Sequence, residues 1–451
     1  MPLEPAFLFS RRAAASFCFA ITAASHGQAQ NLGNTTSADI PGLVDVYKDL
    51  HANPELSHFE ARTSGVLAAA LRKDGYTVTE RVGLYPDGSH AYGVIGVMKN
   101  GAGPTLLVRA DMDALPIIEE TGVPYASHVK VHDKAGAEVG VMHACGHDVH
   151  TTVMIGVAKR LADAKAQWHG TLILLGQPSE ETIDGAKAML ADHLYERFGR
   201  PDKIIGLHDT NTLPAGKMGF VLGPTLASST SIDVVIHGIG GHGSAPMLGR
   251  DPISLAAFYI TELQTIVSRE EDPQDPSVVT VGDIHGGTKR NIIPNEVKLE
   301  LTTRAFTDKS RQTVITGLQS MAAGLTTAYN LPPDKAATVT VLDNESTPVM
   351  FNDPALMHAL QPVLAKALGA ENVTEQTRVM GSEDVGVFGL DRKIPVAFFW
   401  LGAMEPAKFA AAQASGTPLP GPHTSHFEPL PEPTIRTGVT AMTAAAMSLL
   451  Q

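Results

Sequence analysis

Residues 142–150 read MHACGHDVH, which crowds His143, Cys145, His147, Asp148 and His150 around a single glycine. Thiolate, imidazole and carboxylate are the side chains that hold zinc and related divalent ions. Cys145 and His147 are two apart and so share no helix face. A turn at the mouth of a sheet, with Gly146 permitting tight backbone, lets them converge. His150 begins a helical stretch and reads better as a structural residue.

Other apolar runs end in residues of the same kind. RADMD supplies Asp111 and Asp113, QPSEE supplies Glu180 and Glu181, GLHD supplies His208, and GPHTSHF supplies His423 and His426. Any one of these would read as structure. Together with the Cys145 cluster they point to a dinuclear metal centre. Such a centre suits amide hydrolysis, which needs an activated water, a polarised carbonyl and a proton for the leaving nitrogen. A divalent ion lowers the pKa of water from about 15.7 towards roughly 7. Of two adjacent glutamates, one can coordinate while the other carries the proton.

The elements that must position these groups follow from apolar periodicity. Residues 41–75 form two helical runs broken at Asn53-Pro54. Strands are predicted over 91–98, 104–113, 170–181 and 202–209, with a helix over 149–165. Apolar strands alternating with helices make an α/β mixed sheet flanked by helices. From about Leu226 the order becomes β-α-β-β-α-β, a ferredoxin-like α+β pattern, before helix and strand resume after residue 343. The expected domains are therefore 37–224 with 343–451, interrupted by an inserted lid at 225–342. Within the lid, HGIGGHG has the spacing Gly238-x-Gly240-x-x-Gly243, but the following SAPMLGRDP holds two prolines where a dinucleotide fold needs a helix. Ser244 does not sit in a nucleophile elbow, so a serine esterase is also disfavoured.

The chain of 451 residues, 43% hydrophobic and 18% charged, is globular and long enough for two domains. A net charge of −13 argues against a nucleic-acid or anionic-membrane partner. Residues 1–29 carry Arg11-Arg12, an apolar run and small residues at Gly27 and Ala29, the layout of a secretory signal of Sec or twin-arginine type. Export to the periplasm, and no membrane contact after processing, is the expectation. Its removal takes Cys18 and leaves Cys145 alone, where metal binding both explains and protects the thiol.

The series HANPELSHFE, RADMDALPI, MHACGHDVHTT, GQPSEE, GLHD, GGHGSAP, GTKRNIIPNE, GSEDVGVF and PHTSHF resembles metallopeptidase family 20, in the branch of N-acyl-amino-acid amidohydrolases, hippurate hydrolase and indoleacetyl-amino-acid hydrolases. The likeness spans about residues 40 to 445. It implies an aminopeptidase-like catalytic domain with two metal ions and a lid that often makes a dimer interface. It further implies metal ligands Cys145, His147, Glu181, His208 and His423, with Glu180 as general base and Asp113 orienting a ligand. His242 of the lid would bind the scissile carbonyl oxygen, and Asn291 and Arg304 the substrate carboxylate. The last motif departs from the family's His-Ser/Thr-Pro, so His426 stands as an alternative to His423. Zinc is the metal that thiolate favours, though such a mixed donor set also accepts manganese or cobalt.

The expected activity is hydrolysis of the amide bond of an N-acyl or N-aroyl amino acid. The alternatives are a dipeptidase or carboxypeptidase acting on short peptides, and a non-catalytic binding protein of the same fold. A homodimer or higher oligomer through the lid is the expected assembly.

Overall fold

The computed structural model describes residues 38–132 and 136–451; the expected signal at 1–29 lies outside them. The first helix covers 38–52, and Pro54 separates it from the helix Ala61–Lys73, as the sequence predicts.

The large sheet has eight strands in the order Thr77–Leu84, His90–Asn100, Gly170–Gln177, Thr105–Asp111, Lys203–Pro214, Val396–Met404, Met218–Phe220 and Val373–Glu375. Its centre is parallel, from Gly170–Gln177 through Thr105–Asp111 and Lys203–Pro214 to Val396–Met404. Antiparallel strands flank that centre. These central strands are buried on both faces, which is why they read as continuous apolar runs. Alternate residues still sort by face. Leu106, Val108, Leu172, Leu174, Ile205 and Phe399 join one core with the helices His147–Asp163 and Pro431–Leu449. Leu107, Ile173, Leu175, Ile204 and Phe398 join the other, against Ala186, Met189 and Phe388. Each such side chain contributes about 1.5–3 kcal/mol on full burial, before the entropy of ordering it.

The strand Thr77–Leu84 was not expected. It is TVTERVGL at the sheet edge with much of one face exposed, so no apolar run announces it.

A second sheet of four strands has the order Ser277–Gly286, Glu296–Ala305, Ser228–His237, Thr338–Thr347, all antiparallel. With the helices Pro252–Glu262 and Asp308–Ala328 it forms the ferredoxin-like lid, around its own core of Ile232, Val234, Tyr259, Leu299 and Leu318. Both helices start on side-chain caps: Asp251 accepts from the Ile253 N–H ahead of Pro252, and Thr307 accepts from the Ser310 N–H. The glycine motif runs into the short turn Pro246–Leu248, and no helix opens at Gly243. This glycine motif is therefore not a dinucleotide fingerprint. Among the described residues, no helix is long and apolar enough to cross a membrane.

Candidate metal centre and active site

The site lies beyond the carboxyl ends of the parallel strands, where open α/β sheets bind ligands. Asp111 ends one strand, and Glu180 and Glu181 follow another. Cys145 and His147 flank Gly146, which has φ +81° and caps the helix His147–Asp163. A Cβ at Gly146 would lie 2.2 Å from the Asp209 carboxylate, so the turn needs glycine for space as well as conformation.

Two triads of ligand atoms share Cys145. One joins it to His147 and His208, the other to Glu181 and His423, and within each triad the atoms lie within 4.8 Å of one another. The Cys145 Sγ is 3.3 Å from His208 Nε2, and His423 Nε2 is 3.4 Å from Glu181 Oε2. His423 is held there by its own N–H, which donates to the Ala144 carbonyl at 2.8 Å. His426 instead faces Ser425 Oγ at 2.9 Å and the Glu120 carboxylate at 3.8 Å, away from the cluster. Geometry therefore favours His423 over His426.

The donor set fits a pair of divalent ions. Nε2 of His147 and Oε1 of Glu181 are buried without a hydrogen-bond partner, a costly arrangement unless a cation takes them up. Burial and the Glu181 carboxylate push the Cys145 thiol well up, so it ionises only against a positive charge. Burial likewise raises Glu181 to about 7, with His147 pulling the other way. The neutral forms of these groups are favoured until a cation offsets their desolvation.

Asp113 holds this arrangement. Its Oδ1 is 3.3 Å from His147 Nδ1, and its two oxygens accept the backbone N–H groups of Glu180 (3.1 Å) and Glu181 (3.0 Å). Ser57 Oγ donates to it at 2.7 Å. It thus sets the ring of one candidate ligand and the backbone of the glutamate pair together. Glu180 is buried, and its carboxyl is pushed well above the usual range by desolvation and by the carboxylates of Glu383 and Glu181.

A scan of protein-family descriptions matches residues 107–447 to Peptidase family M20/M25/M40. The chain belongs to the M20 peptidase family. It is 34% identical over 388 residues to the IAA-amino acid hydrolase ILR1-like 4 of Arabidopsis thaliana, covering 86% of this chain and 81% of that one. To the hippurate hydrolase of Campylobacter jejuni it is 36% identical over 368 residues, covering 80% and 90%. Its fold matches the Bacillus subtilis YxeP protein, described as a dinuclear metal-binding peptidase of the M20 family, with a TM-score of 0.72 at 28% identity, covering 92% of this chain and 99% of that one. This M20 chain is accordingly a hydrolase with a divalent-metal site.

The lid residues named from the sequence do not gather at one point. His242 pairs with Ile292 in a two-stranded ribbon, is exposed, and takes the Ser244 N–H on Nδ1 at 3.1 Å. Asn291 is beside it, with its carbonyl accepting the Gly243 N–H at 2.9 Å. Arg304 lies at the far end of the strand Glu296–Ala305, roughly 30 Å away at about 3.3 Å per residue. There its Nη1 donates to Ser229 Oγ, Thr302 Oγ1 (2.6 Å) and the Thr303 carbonyl (3.1 Å). Within a single subunit, the strand between Asn291 and Arg304 is too long for a small substrate to bridge.

Several buried charged residues packed around the candidate site escaped the sequence reading. Arg109 is fully buried under the glutamate pair; Nε donates to Gln177 (2.8 Å), Nη1 to Asp111 (2.6 Å) and Nη2 to Glu383 (2.7 Å) and Asp384 (3.2 Å). One cation faces several carboxylates, and Asp384 rises to about 8 through burial, partly offset by Arg109. The signal was present as an arginine inside the apolar strand TLLVRAD and as the acidic pair of GSEDVGVF. His150 has the structural role expected of it: Nδ1 donates to Asp111 at 2.6 Å, and Nε2 accepts the Asp209 N–H at 2.9 Å. Against burial, Asp111 and Asp209 pull its pKa up to about 9, but an acceptor nitrogen must keep its lone pair. The backbone hydrogen bond decides for the neutral Nδ1–H tautomer.

Proposed function

We propose that this chain hydrolyses the amide bond of an N-acyl or N-aroyl amino acid, releasing the carboxylic acid and the free amino acid. The observation that carries this reading is the buried Glu180 beside two ligand triads that share Cys145 and do not need it. Similarity to the hippurate and IAA-amino acid hydrolases supports the substrate class.

Cys145, His147, Glu181, His208 and His423 would hold two divalent ions, zinc by the preference of thiolate. Bound there, the ions would supply Lewis acidity at the carbonyl and a readily deprotonated water. Glu180 takes the water proton on its carboxylate and passes it to the leaving nitrogen. Its raised affinity for a proton, from burial and the carboxylates around it, suits a group that must both accept and return one. Asp113 fixes the backbone of Glu180 and Glu181 by hydrogen bonds and places a carboxylate oxygen 3.3 Å from His147 Nδ1. Arg304, at the hinge end of the lid, offers a guanidinium for the amino-acid carboxylate.

His242 and Asn291 lie at the opposite tip, where Met247 and Leu248 are 77% and 80% exposed and Ile284 and Ile292 are exposed nearby. We propose that a second copy of the chain covers this apolar tip, so that His242 serves the site of the partner. Export through residues 1–29 completes the proposal; that segment has the layout of a signal and would deliver the enzyme to the periplasm.

The test is a screen of hippurate, other N-acyl amino acids and dipeptides against protein reconstituted with zinc, manganese or cobalt, read by free amino acid. Faster turnover of dipeptides than of every acyl amino acid would transfer the assignment to a peptidase; no turnover of either would leave a binding protein. Glu180→Gln is expected to retain the metal content of the wild type while kcat falls about 10²–10⁴-fold. Full metal content with near-wild-type kcat refutes Glu180 as the base.

A further inference from the structure

The lid joins the catalytic domain through two crossovers, and the second is irregular. Opposite Ser229–Ser231, the neighbouring strand runs all the way from Leu342 to Thr347, so residues 343–346 bulge out of the ladder. A bulge leaves backbone carbonyls without ladder partners, and those must be satisfied elsewhere. Here every one of them serves a side chain. The Leu342 carbonyl accepts from Ser346 Oγ (2.7 Å) and the Glu345 carbonyl from Ser231 Oγ (3.1 Å). The carbonyls of Asp343 (2.5 Å), Asn344 (3.3 Å) and Ser346 all accept from Lys187 Nζ.

An ammonium has three N–H donors and no acceptor, so three converging carbonyls match it fully. Lys187 belongs to the catalytic domain, on the short helix Gly185–Ala191. That helix is the continuation of the loop bearing Glu180 and Glu181. Its first N–H groups are tied to the site: Gly185 donates to the Ser179 carbonyl (3.1 Å), and Ala186 donates to the Asp384 carboxylate (3.3 Å). The hinge also touches the site from its other side, where Thr347 Oγ1 donates to the Glu383 carbonyl at 3.5 Å. Thr347 pairs with Ser229, and Ser229 pairs with Arg304.

We propose that Lys187 is a positioning residue that fixes the angle of the lid: its ammonium gathers the carbonyls of the hinge bulge onto the helix following the glutamate pair, and so sets the strand end that carries Arg304 against the Thr347–Glu383 contact. The part concerning Arg304 rests on the acyl-amino-acid hydrolase reading above; the part concerning the hinge does not.

The experiment measures the lid-to-catalytic-domain distance distribution in the zinc-loaded full chain by electron–electron double resonance. Spin labels are placed through cysteines at exposed Ser320 of the lid and exposed Gln413 of the catalytic domain, in a Cys18→Ser background, Cys145 being buried. Lys187→Met is expected to broaden the distribution and to lower kcat/KM about tenfold, a change equal to about 1.4 kcal/mol, carried by KM. Metal content is expected to stay at the wild-type level. Lys187→Arg, which keeps several donors, is expected to restore much of the narrow distribution. If Lys187→Met does not fold, Lys187→Gln supplies the measurement, with intermediate broadening expected. A wild-type distribution in the Met or Gln variant overturns the proposal. Failure of the wild type to hydrolyse any acyl amino acid would sink the proposed activity and leave the distance measurement to judge the hinge alone.

Discussion

A guanidinium that holds a carboxylate can be tested by charge, because its paired N–H groups lose their match when the substrate is amidated. Arg304→Ala is expected to raise KM for free-carboxylate substrates about 10–100-fold, the range set by a charge-assisted hydrogen bond of about 1.5–3 kcal/mol. Amidated analogues should be barely affected, and equal losses on both would remove Arg304 from the substrate-binding role. At this scale the sequence exposed the groups whose chemistry is rare in a core. Cys145, His147, Glu180 and His208 are polar residues at the ends of apolar runs, and a reader of types and spacing finds them. Arg109, Glu383 and Asp384 stayed hidden because their meaning is relational. Residues separated by most of the chain neutralise one another in the interior, and no spacing rule connects them. The distance between Asn291 and Arg304 was likewise invisible, since motif order carries no length along a strand.

Helices and strands bring further charges together. His51, on the first helix, lies between Asp148 at the start of the helix His147–Asp163 and Glu119 of a loop, at 2.7 Å and 3.1 Å. Burial works against its protonation, but hydrogen bonds to Asp148 and Glu119 prevail and raise its pKa to about 10 from 6.5. A pKa raised on folding gives stability that is complete below about 6.5 and disappears as pH climbs through about 10. The melting-temperature gap between wild type and His51→Gln should therefore be widest below pH 6.5 and shrink towards pH 10, starting from an advantage on the order of a few kcal/mol. A gap that grows with pH would show that His51 is neutral in the fold. The helices and buried strands were legible from periodicity, because both faces of the sheet are covered and its runs are apolar. The edge strand Thr77–Leu84 and the short Met218–Phe220 and Val373–Glu375 were not, since pairing rather than composition makes them strands.

For the molecule as a whole, the candidate ligands come from four segments, around Cys145, Glu181, His208 and His423. An ion bound across them stabilises only the folded chain. Chelation is expected to lower the unfolding free energy by about 2.7 kcal/mol or more wherever free metal had exceeded its dissociation constant about 100-fold. Calorimetry with and without chelator measures it; an unchanged melting temperature would mean that these side chains bind no metal in the fold. A change of texture is visible in the sequence near Leu226, but the bulge at the return crossover is not, because its carbonyls are met by serine and lysine side chains, one of them far away in sequence.

The same interruption sets an order of events at birth. Lys203–Pro214 and Val396–Met404 lie side by side in the finished sheet, yet the whole lid is translated between them. Until the later strand emerges, the earlier one keeps a long apolar flank available to any passing polypeptide. His423 arrives later still, so a nascent chain can collect most of its ligands but cannot close the centre. Slow translation through the lid would thus lengthen the interval in which a half-built enzyme depends on chaperones.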